Sequence, residues 1–318
     1  MSQFTIMCYN IEHMNRMFEG NAVKPNQRQR AQKIAGVIQS IDPDVLGICE
    51  AANSSDEHAH FIANYLTGSG YQLACGTSRG GQNLVFYYRA PFSVVSIDDA
   101  FSFYDPWTAD IEEDGLRENH KWERKPLEVL LKIGGDDAQL RIILVHTKSK
   151  GVFSVVDLYD FQKISLANRK RLVGQAIRLR ERLEQLVHGP DSIIVMGDMN
   201  DGPGLDPFER MMGRSFVETV MGSIYNPGEI FHNVLWWMSE NAGSRKDLWT
   251  ADFPDPIVAS PLGYRHRVWL DHILVSPDML SSDNKVRYVT GSGKIGAKNR
   301  NSREASDHYP VYCKIEVD

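Results

Sequence analysis

The stretch IIVMGDMNDGPG, residues 193–204, decides how this chain is read. Four apolar residues that favour a strand run directly into Gly197, Asp198, Met199 and Asn200, and then into a turn rich in Gly and Pro. One Asp-x-Asn after a strand is ordinary turn chemistry, because both side chains cap the nearby backbone. The same design recurs elsewhere. The apolar run at 4–9 ends at Asn10, with Glu12 two residues on, and the run at 45–49 ends at Glu50. The run at 140–145 ends at His146, followed by Lys148 and Lys150. Near the C-terminus the order inverts: Asp271 begins DHILV, and Asp307 and His308 immediately precede the final apolar run. If these last strands run antiparallel to the others, every one of these groups converges on one edge of a sandwich.

Working outward, strands are expected at 4–9, 45–49, 71–75, 84–88, 93–97, 127–133, 140–145, 192–196, 268–275, 286–289 and 311–317. Each is short and rich in Val, Ile, Leu or Tyr. Helices are expected at 27–40, 58–66 and 160–187. In the last, Phe161, Ile164, Leu172, Ala176, Leu179, Leu183 and Leu186 recur at steps that suit one buried face. Its remaining faces carry Arg169, Lys170, Arg171, Arg178, Arg180 and Arg182, read as a solvated exterior in preference to a nucleic-acid contact. The strand count predicts an α+β fold: a four-layered α/β sandwich, two mainly antiparallel sheets face to face with helices outside. One domain over 1–318 is expected, with a long loop or small insertion at about 223–267. That segment holds Trp236, Trp237 and Trp249, read as aromatics covering the core.

A chain of 318 residues, 42% hydrophobic, can bury one large core or two modest ones. No apolar run has the length of a membrane span. The opening MSQFTIMCYN alternates like a strand and lacks the basic start and apolar stretch of a signal peptide, so the expected location is cytoplasmic. The four cysteines fit that reading. Cys8, Cys49 and Cys313 lie in strand-like runs, Cys75 ends another, and no CxxC spacing suggests zinc or a redox pair. The net charge of −6 argues against a protein that coats nucleic acid. A carboxylate-lined metal site is itself a concentrated source of that charge. The predicted cluster combines carboxylates, amides and histidines, and hard oxygen ligands select Mg²⁺, with Mn²⁺ as a substitute. HExxH and GxxxxGK[ST] are both missing, which leaves zinc proteases and P-loop NTPases without support.

The motifs CYNIE (8–12), ICE (48–50), LVHTKSK (144–150), GDMND (197–201), WLDHILVS (269–276) and SDHYPV (306–311) together resemble the ordered motif set of the endonuclease/exonuclease/phosphatase superfamily. They span nearly the whole chain. WERKP (122–126) also looks like the phosphate-contacting Arg-x-Pro stretch of pancreatic-type deoxyribonucleases, and HTKSKG resembles a lysine motif of secreted bacterial nucleases. The resemblance implies that Glu50 binds the principal metal ion, helped by Glu12 and Asp307, with Asn10 orienting the site. It implies that Asp198 aligns or deprotonates the attacking water while Asn200 holds the phosphate. His308, oriented by Asp271, would stabilise phosphoryl charge or transfer a proton, and His146 would face the phosphate and protonate the leaving oxygen. Arg124, Lys148 and Lys150 would grip flanking phosphates. His13 and His272 are read as packing or surface histidines.

Two departures stand out. Where pancreatic-type enzymes carry an arginine two residues after the metal-binding glutamate, this chain has Ala52. Where they pair the second histidine with a glutamate, it has Ser78, Arg79 and Gly80. The expected activity is a Mg²⁺-dependent phosphodiester hydrolase, a DNA endonuclease with little sequence specificity, with no obligate protein partner implied. The alternative keeps the site but takes phospholipid, inositol phosphate or nucleotide substrates. An inactive binding scaffold would require loss of Glu50, Asp198, Asp271 or His308, and all four are present.

Overall fold

The computed structural model describes residues 2–76, 82–97, 102–111, 114–135, 138–152, 155, 157–254 and 265–318. From the N-terminus come β1 (Ser2–Asn10), α1 (Arg28–Ile41), β2 (Val45–Ala51), α2 (Ser55–Tyr65), β3 (Gln72–Cys75), β4 (Asn83–Tyr88) and β5 (Phe92–Ile97). The middle of the chain forms β6 (Leu127–Ile133), β7 (Gln139–His146), α3 (Leu158–Leu186), β8 (Ser192–Asp198), α4 (Pro207–Met212) and α5 (Phe216–Met221). It continues with β9 (His232–Asn233), α6 (Trp236–Glu240), β10 (Asp271–Val275), β11 (Val286–Tyr288), β12 (Lys294–Ile295), α7 (Arg300–Ala305) and β13 (Val311–Val317).

Two sheets result. One has the order β11-β13-β1-β2-β4-β3, with β12 beside β13, and the other has the order β9-β10-β8-β7-β6-β5. Each contains one parallel pair, β1 with β2 and β7 with β8. Around these pairs the neighbours are antiparallel, with β13 on β1 and β10 on β8. Alternation along the strands sorts the core into three layers. Ile6, Cys8, Phe86, Leu144, Met196 and Ile273 fill the space between the sheets. Met7, Tyr9 and Leu46 point the other way and meet Ile34, Ile38 and Phe61 of α1 and α2. On the second sheet Ile143, Val145, Ile193 and Val195 meet Leu172, Leu179 and Leu183 of α3 and Phe216 of α5. Strands buried on both faces explain why the sequence shows continuous apolar runs. The sheets press closely together at Gly47, where an added Cβ would lie 2.6 Å from Met196 Cε and 2.9 Å from Leu144 Cδ1. This is the four-layered sandwich expected from the pattern of runs.

Three local expectations change. The run at 268–275 is two strands, Arg265–Val268 and β10, because the backbone amides of Leu270 and Asp271 both donate to Thr250 Oγ1, 2.9 Å each. The buried face of α3 starts at Ser165, while Ile164 is 37% exposed and Phe161 faces Phe208 of α4 instead of the sheet. Most of the arginines of α3 are not a solvated exterior either, though Arg171 is exposed. Arg180 reaches Glu184 and Glu229, Arg182 reaches the fully buried Glu128, and Arg169 reaches Asp206. In segment 223–267, β9 joins the second sheet, and Ala251–Pro254 pairs with Arg265–Val268. Trp237 packs on the core and Trp249 sits edge-on to Tyr309, while Trp236 is exposed. All four cysteines are free thiols. Among the described residues no helix is long and apolar enough to cross a membrane.

Candidate active site

The two parallel pairs aim their C-terminal ends at the same rim. β1 delivers Asn10, β2 delivers Glu50, β7 delivers His146 and β8 delivers Asp198. Because β10 and β13 run the other way, their N-terminal ends reach that rim, bringing Asp271 and, one turn ahead of β13, Asp307 and His308. Within the second sheet His146, Asp198 and Asp271 stand side by side in register. Gly197 makes this register possible. Its φ is 143°, and a Cβ there would lie 1.9 Å from Val145 O, so no other residue fits.

Asp198 is the hub. Its Oδ2 accepts from Asn10 Nδ2 at 2.9 Å, and its Oδ1 accepts from the backbone N–H of Asn200 at 2.9 Å. His146 Nε2 lies 3.5 Å from the same Oδ2, and His308 Nε2 lies 3.9 Å from it. His308 Nδ1 is held by Asp271 Oδ2 at 2.7 Å. Asn200 sits at a φ of 47°, with its side chain donating to Thr147 O at 3.2 Å. Burial, reinforced by the facing Asp271, pushes the Asp198 carboxyl up to about 7 against the pull of His308 and its N–H donors. Burial opposes a charge on His308, but the carboxylates of Asp271 and Asp198 outweigh it and hold the imidazolium well above its usual range. Burial and the neighbouring Arg124 cation drive His146 the opposite way, toward neutrality. Two adjacent histidines are thereby set to opposite charge states.

At the other end of the rim are the acids. Glu50 has a φ of 55°, and its Oε2 accepts from the backbone N–H of His13 at 2.8 Å and from Gln82 Nε2 at 2.5 Å. Asp307 Oδ1 is buried with no hydrogen-bond partner. Its carboxyl is pushed up by burial and by the nearby charges of Glu12 and Glu50, against His308. Glu12, Glu50 and Asp307 stand near one another, one with an orphaned buried oxygen; Arg30 Nη2 lies 3.9 Å from Glu12 and His308 acts on Asp307, and a divalent cation would supply the balance of positive charge. The residues therefore fit a hard metal ion. Among the described residues the group whose ligand atoms lie within 4.8 Å of one another is Asp198, Asp271 and His308, but the Asp271–His308 bond already pairs two of them.

Arg124 joins the rim: its Nη2 donates to His146 Nε2 at 2.9 Å. A guanidinium only donates, so Nε2 accepts and the ring proton sits on Nδ1, which has no partner. The stretch Ser78–Gly80, where an acid for this nitrogen is missing from the sequence, lies outside the described residues. Lys148 is half-buried; it forms no salt bridge among the described residues, though Glu123 is near enough to act on its ammonium. Lys150 is a correction: its ammonium is taken up by Asp201 and, at 2.6 Å, by Glu209, both buried, and so serves the loop after Asn200 instead of facing a phosphate. Asp201 in turn accepts from the N–H groups of Phe216 and Val217 and caps α5. Ala52 is fully buried and contributes nothing to the rim. His13 and Gln82 were not expected at the site; neither residue type nor spacing marks them, and only the turn after β1 brings His13 back to Glu50.

A rim of carboxylates opposite a charged His–Asp pair, with a second, neutral histidine beside a cation, defines a metal-dependent phosphoesterase. The sequence matches the Endonuclease/Exonuclease/phosphatase family over residues 7–308, and the chain belongs to that family. Solved structures agree on the fold. Truncated Caenorhabditis elegans TDP2 is 13% identical, with 99% of this chain and 98% of that chain covered and a TM-score of 0.57. D. rerio TDP2 complexed with single strand DNA product is 15% identical, covering 99% and 100%, with a TM-score of 0.56. The human Nocturnin catalytic domain with bound sulfate anion is 15% identical, covering 99% and 95%, with a TM-score of 0.54. A search of curated proteins finds no match.

Proposed function

We propose that the enzyme is a Mg²⁺-dependent DNA endonuclease of low sequence preference. The observation that carries this is the pair Arg124 and Lys148 on the His146 side of the rim, two cations that form no salt bridge among the described residues, with Glu123 near enough to Lys148 to act on it. Arg171 lies close enough to act on Lys148 and extends the strip along α3. A row of cations leading away from one scissile phosphate suits a substrate with further phosphates in line. The DNA-bound TDP2 shares this fold and supports the same direction.

In this reading water attacks phosphorus, the ester P–O bond breaks, and the departing oxygen takes a proton from solvent. Asp198, held by Asn10 and with its pKa about 7, aligns the water and accepts its proton. Asn200 presents its amide to a phosphoryl oxygen. His308, kept cationic and fixed by Asp271, donates to the oxygen on which charge grows. Arg124 swings from His146 to a phosphate, which frees the unprotonated histidine Nε2 to accept a hydrogen bond on that side of the site. A divalent cation held by Glu50, Glu12 and Asp307 would neutralise charge on the phosphate when bound.

Buried Ala52, where an arginine would add a further DNA contact, favours a second reading: phosphodiesters of lipids, inositol phosphates or nucleotides. Digestion of supercoiled plasmid with Mg²⁺, Mn²⁺ or EDTA, beside Asp198→Ala, separates the two. Metal-dependent nicking that the variant loses is the expected result. Intact plasmid, linear duplex and single strands, with turnover of a small phosphodiester, would replace DNA by the second class.

A further inference from the structure

We propose that His272 is a positioning residue, which holds the loop after β8 so that Asn200 faces the phosphate. The proposal rests on reading Asn200 as a contact of the phosphoryl group. Asn200 takes the left-handed φ of 47° without being glycine, and such strain persists where the chain on both sides is fixed. On the near side Met199 donates its backbone N–H to Leu270 O at 2.9 Å, and Asn200 donates its own to Asp198 Oδ1. On the far side Asp201 is the fixed point. Its Oδ2 accepts from the N–H groups of Phe216 and Val217, and its carbonyl oxygen lies 2.8 Å from His272 Nε2. With the carboxylate and the carbonyl both held, Asp201 cannot turn, and Asn200 has to span the gap in its strained form.

His272 is fully buried on β10, opposite Gly197 in register. Its donor is aimed from β9. The backbone N–H of Leu235 donates to Asn233 Oδ1 at 3.1 Å, which turns the amide nitrogen of Asn233 toward His272 Nδ1, 2.8 Å away. That amide donates, so Nδ1 accepts and the ring N–H is at Nε2, the atom that meets Asp201 O. The Trp269 ring stacks on the imidazole with centroids 4.8 Å apart, and its Nε1–H donates to Asp271 O at 3.1 Å. Both ring nitrogens and one ring face are thus committed, in a line that runs from segment 223–267 to the loop after β8. This gives that segment a part in the site, through Asn233. The competing account is a histidine that merely packs. Phe would pack there as well, but it would leave a buried carbonyl without its donor.

The test is steady-state hydrolysis of a chromogenic phosphodiester by the full chain with saturating metal. His272→Phe keeps a ring to stack on Trp269 but removes both nitrogens. His272→Gln brings an amide N–H near the place of Nε2 and so restores the donor. In His272→Phe kcat should fall at least tenfold with KM changed less than threefold, and His272→Gln should return to within threefold of wild type. Placed on Asn200→Ala, His272→Phe should lower kcat less than twofold further, because the two act through one contact. Wild-type kcat in His272→Phe, equal losses in both variants, or a full tenfold loss on top of Asn200→Ala overturns the proposal. Should His272→Phe fail to fold, Asn233→Ala keeps the histidine and releases its ring: a kcat at least threefold lower supports the proposal, and an unchanged one overturns it. Wild-type kcat in Asn200→Ala would instead overturn the reading of Asn200 beneath it.

Discussion

Replacing Asp271 by asparagine removes one charge from the rim and nothing else of comparable size. The carboxylate holds His308 Nδ1 at 2.7 Å, and both side chains are buried. A hydrogen bond to a charged group contributes about 1.5–3 kcal/mol, and a neutral one about 0.5–1.5 kcal/mol. An amide can keep the bond but not the charge, so the imidazolium loses about 1–1.5 kcal/mol. At 1.36 kcal/mol per decade that predicts a kcat about 5- to 15-fold lower, with KM little changed. Asp271→Ala removes the bond altogether, frees the ring to turn, and should cost about 100-fold on the same scale. The backbone of residue 271 is fixed independently, through Thr250 Oγ1 and its place opposite Asp198, so both variants should fold. The assay is steady-state hydrolysis of a chromogenic phosphodiester with saturating metal, with near-ultraviolet circular dichroism as the control for folding. The reasoning fails if both variants keep wild-type kcat, or if KM rises while kcat stands still. The first outcome would make the His–Asp pair structural, and the second would make it a ground-state binding element.

Arg124→Ala and Lys148→Ala should each flatten the dependence of log affinity on log salt for duplex DNA by about 0.9; a loss of affinity that leaves the slope intact would remove them from phosphate contact. His58 is buried, with Nδ1 on Tyr87 Oη at 2.7 Å, and burial pulls it from the usual 6.5 down to about 4. Below pH 6.5 the unfolded chain therefore takes up a proton that the fold excludes. The stabilisation is whole above that pH and fades toward pH 4, by about 3 kcal/mol. Urea titrations of His58→Gln should show that much less acid sensitivity than wild type, and parallel curves would refute it. Glu128, fully buried, accepts from Arg141 Nη1 at 2.7 Å and Arg182 Nη2 at 2.8 Å. Glu128→Gln should lower unfolding free energy by about 3 kcal/mol with unchanged kinetics; a loss under about 1 kcal/mol would mean that water already screens both arginines.

The sandwich was legible because both of its sheets are buried on two faces. Every strand of the central pairs then reads as a continuous apolar run, and each run's end is marked by the polar residue it delivers. Asn10, Glu50, His146 and Asp198 could be placed on one rim from that fact plus the inverted order at Asp271 and Asp307. Strand direction alone brings those groups together, and strand direction follows from the order of the runs. His13 and Gln82 had no such mark. Their arrival at Glu50 depends on a left-handed turn at a residue that is not glycine, and local sequence gives no signal for strain that tertiary contacts impose.

The lysine and arginines misread from sequence share one cause, and it bears on which cations are free for substrate. A run of basic residues looks the same whether its partners are water, phosphate or distant acids. Lys150 follows the same motif as Lys148, two residues on, yet Asp201 and Glu209 converge on it from the loop after β8 and from α4. Arg182 meets Glu128 from a strand 54 positions away. These pairs neutralise most of α3's charge against the protein itself, which reconciles a basic helix with a chain whose net charge is −6. What remains beside His146 is Arg124 and Lys148, which form no salt bridge among the described residues, and that separates them from their neighbours. That distinction makes the salt slope the sharper test of substrate class. A phosphate grip built from two cations gives a small, countable slope, whereas a broadly basic surface would give a large one that no single substitution moves.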